Sequence, residues 1–146
     1  MTAAVPDTGG LLIYTDGACR GNPGPSGAGW VICTAAGKVL GQGCAFLGHR
    51  TNNEAEYLAA AMGLTAAQQF HVDRVTLCAD SQLLVRQVQG QYQVRNARIL
   101  PLYRALMQVA ATYRQFSARH VYREQNAAAD AQANRGIDTR PQGAAP

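Results

Sequence analysis

Four carboxylates stand where this sequence could do chemistry: Asp16, Glu56, Asp80 and Asp130. Asp16 ends the apolar run "LLIYT" and opens the Gly/Pro-rich stretch "DGACRGNPGPSGAGW". A carboxylate at the buried end of a strand is costly unless something pairs with it, whereas a lone Asp before a Gly more often makes a turn with its own backbone. Glu56 lies in "TNNEAEYLAAAMG", where its i+3, i+4 and i+7 neighbours are Ala59, Ala60 and Gly63. Side chains that small let a helix approach a sheet closely, which puts Glu56 at the sheet surface. Glu54, three residues after Thr51, has the spacing of a capping box instead. Asp80 follows "RVTLCA" and starts "DSQ"; alone it reads as a helix N-cap as readily as a ligand at the carboxyl end of a parallel strand. Asp130 is four residues after Asn126 on an Ala-rich helix, where an Asp is ordinarily solvated. Four converging carboxylates without basic partners would repel and take up protons, and Mg²⁺ or Mn²⁺ would relieve that. Such a cluster suits two-metal phosphoryl transfer.

The elements that must position these groups follow from pattern and punctuation. "LLIYTDGA", "GAGWVICTA" and "KVLGQGCAFL" read as three strands of an antiparallel meander, with "AAGK" as the second turn. "NNEAEYLAAAMGLTAAQQF" is helical, "RVTLCA" a short buried strand, and "SQLLVRQVQG" a helix that Gly90 closes. "NARILPLYRALMQVAATYR" is a helical stretch interrupted near its start by Pro101, "FSARHVYRE" a last strand, and "NAAADAQANRG" a last helix. The order βββαβααβα predicts an α/β fold with a mixed sheet, parallel central strands and helices covering it. Residues 1–9 and the tail 138–146 read as disordered, the tail equally as the start of a linker; residues 10–137 form one domain.

A chain of 146 residues is one ordinary domain, able to bury a core without a disulfide or metal staple. No apolar run is long enough to span a bilayer, and no basic-then-apolar leader opens the sequence, which points to the cytoplasm. Cys19, Cys33, Cys44 and Cys78 are widely spaced and read as small buried hydrophobes rather than zinc ligands. The net charge is +4, and Lys38 is the only lysine, so the positive charge is almost all arginine. Arginine's planar fork suits phosphate, which makes the balance compatible with nucleic acid.

"YTDGACRGNPGPSGAGW", "TNNEAEYLAA", "ADSQ" and "NAAADAQA", in that order and spacing, resemble ribonuclease H of type 1, over about residues 11 to 137. The resemblance implies an RNase H-like fold, a five-stranded mixed sheet of order 3-2-1-4-5 flanked by helices. It implies that Asp16, Glu56, Asp80 and Asp130 are catalytic and bind metal, Mg²⁺ or Mn²⁺, with two ions per site when substrate is bound. The substrate implied is an RNA/DNA hybrid duplex whose RNA strand is cut to leave a 5′-phosphate and a 3′-hydroxyl. Substrate would be met by the loop Cys19, Arg20, Gly21 and Asn22, and by Thr51, Asn52, Asn53, Glu56 and Gln82. Thr51 and Asn22 would hold a DNA-strand phosphate.

Two departures from the family pattern stand out. The basic, Trp- and Lys-rich protrusion of many relatives is replaced by the short "GQYQVRNARILPLY", with Arg95 and Arg98. A His-containing loop before the last Asp is replaced by "YREQN", which resembles the archaeal-like subgroup. Arg123 is therefore expected to assist catalysis electrostatically, with Glu124 the lesser candidate as proton carrier. A monomer is expected, its substrate grip weak unless a fused or separate domain supplements it.

Overall fold

The computed structural model describes residues 10–140. Three antiparallel strands come first: β1 (Leu11–Cys19), β2 (Gly24–Thr34) and β3 (Val39–Arg50). Helix α1 (Asn52–Ala67) follows, then β4 (Arg74–Ala79), α2 (Gln82–Val88), α3 (Ile99–Ala110), β5 (Gln115–His120) and α4 (Ala127–Thr139). The sheet order is β3-β2-β1-β4-β5, with β4 parallel to both β1 and β5. This is the mixed sheet expected from the sequence.

Leu11, Ile13, Val75 and Leu77 from the two central strands are fully buried together with Leu64 of α1 and Leu106 of α3. Helix α1 lies on one face: a Cβ on Gly63 would meet Thr15, Ile13 and Trp30 side chains at 2.7 to 3.2 Å. The alternation of β2 turns Gly29 to the other face, where α4 packs so closely that a Cβ there would lie 2.3 Å from the Ala129 carbonyl oxygen. The Gly/Pro-rich stretch thus lets α4, and Asp130 with it, sit directly on the sheet.

Local chemistry explains the remaining boundaries. Thr51 caps α1 in the expected capping box: its hydroxyl accepts from the Glu54 amide at 3.2 Å, and its own amide donates to Glu54 Oε1 at 2.9 Å. These bonds hold the Glu54 carboxyl below the ordinary range. Gly90, at φ +80°, closes α2 as expected, with the Gln91 amide reaching the Arg86 carbonyl at 2.9 Å and the Gly90 amide the Gln87 carbonyl at 3.1 Å.

Four expectations need correction. Pro101 does not interrupt a helix; it lies in the first turn of α3, where no intrahelical acceptor waits for its missing N–H. Strand β5 stops at His120, and Arg123–Asn126 form a 3₁₀ turn, so Arg123 and Glu124 are not strand residues. Helix α4 continues to Thr139, past the expected start of the tail at 138, with Ile137 buried and Asp138 paired to Arg20 at 2.7 Å. Among the cysteines Cys33 and Cys78 are buried, but Cys19 and Cys44 are partly exposed. The expected disorder of residues 1–9 and 141–146 lies outside the described residues. Among those described, no helix is long and apolar enough to cross a membrane.

Candidate active site

Asp16 is 7% exposed, near the end of β1, and its neighbour Gly17 explains how Glu56 reaches it. The Gly17 amide donates to Glu56 Oε1 at 2.8 Å. A Cβ on Gly17 would lie 2.4 Å from the Ala55 carbonyl carbon, so only glycine lets β1 and the first turn of α1 touch. Helix α1 therefore delivers Glu56 to the sheet along its small-residue face, as its Ala59, Ala60 and Gly63 neighbours predict.

Asp80 follows the last residue of β4, and Ser81 caps α2 in its place, accepting from the Leu84 amide at 3.2 Å. The ambiguity in the sequence is thereby resolved: Asp80 is free of capping duty. Its Oδ2 instead accepts from Asn126 Nδ2 at 3.1 Å. Asp16, Glu56 and Asp80 each present one carboxylate oxygen, all within 4.8 Å of one another. Asp130, one turn into α4 and exposed, stands outside that tight group but lines the same cavity of about 380 Å³, together with Gly17, Asn52 and Arg123.

The electrostatics follow from burial and like charge. Burial pushes the Asp16 carboxyl up to about 9, with Glu56, Asp80 and Asp130 adding to the effect. Burial also raises Glu56, to about 8, aided by Asp80 and opposed by the Gly17 hydrogen bond. The donor set is all carboxylate oxygen, the cluster is held together against its own repulsion, and one face opens to a polar cavity. These features fit a hard divalent cation such as Mg²⁺ or Mn²⁺.

The other candidates divide into three groups. Asn22, Thr51, Asn52 and Asn53 line a neighbouring polar cavity of about 540 Å³, with Asn96, Arg98 and Ile99 completing it. Asn22 Oδ1 accepts from the Asn52 amide at 3.0 Å, which ties the Gly/Pro loop to the start of α1. Asn52 belongs to both cavities and so joins them. Gln82 lies elsewhere, in a groove with Arg86, Gln89 and His120. The loop residues Cys19, Arg20 and Gly21 are largely engaged in structure. The Cys19 thiol donates to the Gly21 carbonyl and to the Arg50 carbonyl at 3.1 Å, and Gly21 adopts φ +97°. Arg20 binds Asp138 at 2.7 Å and Asn134 at 3.2 Å, so its guanidinium lies on α4.

Two contributors escaped the sequence reading as site residues. Arg98 belongs to the shortened protrusion, and only the fold carries it against Thr51 and Asn22. Asn126 looked like a helix-starting residue, and its contact with Asp80 depends on chain segments 46 residues apart.

A family model described as reverse transcriptase-like matches residues 14–136. The chain is 38% identical to ribonuclease HI of Halobacterium salinarum over 140 residues, covering 94% of this chain and 70% of that protein. It is 36% identical to the bifunctional protein Rv2228c of Mycobacterium tuberculosis, covering 92% of this chain but only 37% of that protein. The fold superimposes on the crystal structure of RNase H1 from H. salinarum with a TM-score of 0.85, at 36% identity, over 89% of this chain and 98% of that one. LC11-RNase H1 in complex with RNA/DNA hybrid gives a TM-score of 0.85 at 38% identity, with the same coverage of the two chains.

Proposed function

The chain belongs to the type 1 ribonuclease H family, and from that premise we propose that it is an endonuclease hydrolysing the RNA strand of RNA/DNA hybrids to 5′-phosphate and 3′-hydroxyl ends. The observation that carries this reading is the convergence of Asp16, Glu56 and Asp80 within 4.8 Å on a cavity that also takes in Asp130 and Arg123. The name of a structural relative, LC11-RNase H1 in complex with RNA/DNA hybrid, supports the choice of substrate.

The four carboxylates would hold the divalent ions, Mg²⁺ or Mn²⁺ and two with substrate present, with Asp130 supplying the exposed side of the set. Bound there, the metal would activate a water for in-line attack on the scissile phosphate and stabilise the departing 3′-oxygen. The protein's own residues position the strand. Choosing RNA over DNA requires contact with the 2′-hydroxyl, donor and acceptor at once, and Asn52, Asn53, Gln82 and the Glu56 carboxylate are groups of the right type. Asn52 shares a cavity with the carboxylates, which favours it as a reader beside the cut site. Thr51 and Asn22, with Arg98 beside them, form a polar pocket suited to a phosphate of the DNA strand. Arg123 would face charge developing at the scissile phosphate, and its guanidinium stays protonated, so its role is electrostatic. Cys19, Arg20 and Gly21 would serve chiefly by fixing the loop that carries Asn22.

Incubating labelled RNA/DNA, RNA/RNA and DNA/DNA duplexes with Mg²⁺ or Mn²⁺ tests the assignment. Cleavage confined to the RNA of the hybrid, with 5′-phosphate products, is expected; no metal-dependent cleavage of the hybrid would sink it. A second reading, one domain of a longer enzyme, is favoured by the mycobacterial relative, of whose length this chain spans 37%. Gel filtration distinguishes a free monomer from an assembled form. A reducing, cytoplasmic setting accords with four free cysteines.

A further inference from the structure

We infer that Asn126 is a positioning residue that sets Asp80 against Asp16 and fixes how Asp80 is presented to a divalent cation. Asn126 is 1% exposed and occupies the N-cap position of α4, yet its side chain does not cap that helix. An asparagine there normally accepts a hydrogen bond from the helix's own first turn. Here the side chain turns inward and spends both amide hydrogens elsewhere: Nδ2 donates to the Thr15 carbonyl at 2.9 Å and to Asp80 Oδ2 at 3.1 Å. Its Oδ1 is left buried without a partner among the described residues. A buried side chain that gives up its cap and leaves its acceptor unsatisfied is held there by something besides helix stability.

The two acceptors explain what. Thr15 precedes Asp16, and Thr15 with Ala79 is the last register pair between β1 and β4. Beyond that pair, Asp16 and Asp80 have no direct ladder bond to set their separation. Asn126 bridges the gap, with one hydrogen on the backbone of β1 and the other on the carboxylate beyond β4. The same residue begins the helix that carries Asp130 one turn later and ends the 3₁₀ turn that starts at Arg123. One side chain thus ties together the three chain segments that deliver Asp16, Asp80 and Asp130. The donor type matters. A lysine or arginine here would neutralise Asp80 and compete with a cation, whereas an amide occupies one oxygen, leaves the charge intact and frees the other oxygen for metal.

The inference rests on the carboxylates being metal ligands, and the test separates the two ideas. Mn²⁺ binding to the metal-free protein is measured by calorimetry, without substrate, for wild type, Asn126→Ala and Asn126→Leu, the last close in size but lacking the donor. We expect both variants to bind Mn²⁺ about 10–100-fold more weakly. Cleavage should need correspondingly more metal and recover toward the wild-type rate at high metal, with KM for the hybrid little changed. Wild-type Mn²⁺ affinity in a folded variant would overturn the role of Asn126, while failure of the wild type itself to bind would overturn the metal reading and this inference with it. Wild-type protein gives a check that needs no variant. The Asn126 side-chain amide resonances should move as Mg²⁺ is titrated in, and invariance of those resonances while the Asp80 backbone shifts would also overturn the inference.

Discussion

The Gly17 amide lies 2.8 Å from Glu56 Oε1, the contact that fastens helix α1 to the end of β1 beside Asp16. A methyl group at residue 17 would come 2.4 Å from the Ala55 carbonyl carbon and 2.5 Å from the Glu56 amide nitrogen, both backbone atoms that cannot step aside alone. Gly17→Ala must therefore displace the first turn of α1, and with it Glu56. We expect a loss of about 1–3 kcal/mol of stability, the usual cost of forcing volume into a packed contact, and cleavage well below wild type even where the variant is fully folded. Urea titration with a parallel cleavage assay decides this; wild-type stability would mean that β1 and α1 are less tightly apposed.

Without metal, the buried carboxylate cluster should cost the protein stability as the pH rises. Asp16 and Glu56 have their folded values raised to about 9 and about 8, far above the ordinary carboxylate range near 4 of an unfolded chain. The folded state thus binds more protons. The stability this contributes is complete below about pH 4 and is lost as the pH climbs through the folded values. Melting temperature in EDTA should fall between about pH 5 and pH 9, and Mg²⁺ should raise it more at pH 8 than at pH 6. A melting temperature in EDTA that is flat or rising over that range contradicts the repulsive cluster.

Asp16→Asn removes a buried carboxyl that must otherwise either bear a repelled charge or take up a proton. Cleavage should be lost, and the melting temperature in EDTA at pH 8 should rise, by about 2–4 °C for each kcal/mol relieved in a chain of this size. Substantial Mg²⁺-supported cleavage by the variant would remove Asp16 from the ligand set.

The strand and helix order and the surroundings of Glu56 and Asp16 were legible because they rest on local pattern. Small residues at i+3, i+4 and i+7 placed Glu56, and the run "LLIYT" placed Asp16. The ambiguity at Asp80 was physical: Asp and Ser both cap helices, and only the structure tells which does. The run "FSARHVYRE" reads as one strand through Arg123 and Glu124, but pairing of β5 with β4 ends at the Ala79–His120 pair, where β4 runs out. Arg20 and Asn126 make their contacts across more than a hundred residues of chain, to Asp138 and Thr15, so no window of sequence contains them.

Arg98 and Arg95 carry the charge left in the shortened protrusion, and Arg98 alone of the two lines the Thr51 and Asn22 pocket. Arg98→Ala should weaken hybrid binding at every sequence and lower the salt slope by about 1, whereas Arg95→Ala should do less. For the whole protein the slope should be shallower than that of a relative bearing the full protrusion. Fluorescence titrations at several salt concentrations measure both, and an unchanged slope in Arg98→Ala would exclude a phosphate contact there.

The absence of histidine from the carboxylate cavity gives the last test. His49 is near the end of β3, His71 follows the 3₁₀ turn after α1 at φ +55°, and His120 ends β5 with its ring against Tyr122. None of the three lines the cavity that Asp16, Glu56 and Asp80 share, and Arg123 does. Imidazole titrates near neutrality and moves protons; guanidinium does not, and acts through its fixed charge and planar donors. If Arg123 supplies what the chemistry needs at this position, changing all three histidines to Asn should leave most of the activity. Arg123→Ala should then lower kcat without weakening Mn²⁺ binding, because a guanidinium has only donors and cannot ligate a cation. Arg123→Lys keeps the charge but loses the planar fork and should recover part of the rate. An inactive but folded triple-His variant would place the needed proton carrier at one of the histidines, whereas wild-type turnover in Arg123→Ala would remove Arg123 from the chemistry and make Glu124 the next residue to change.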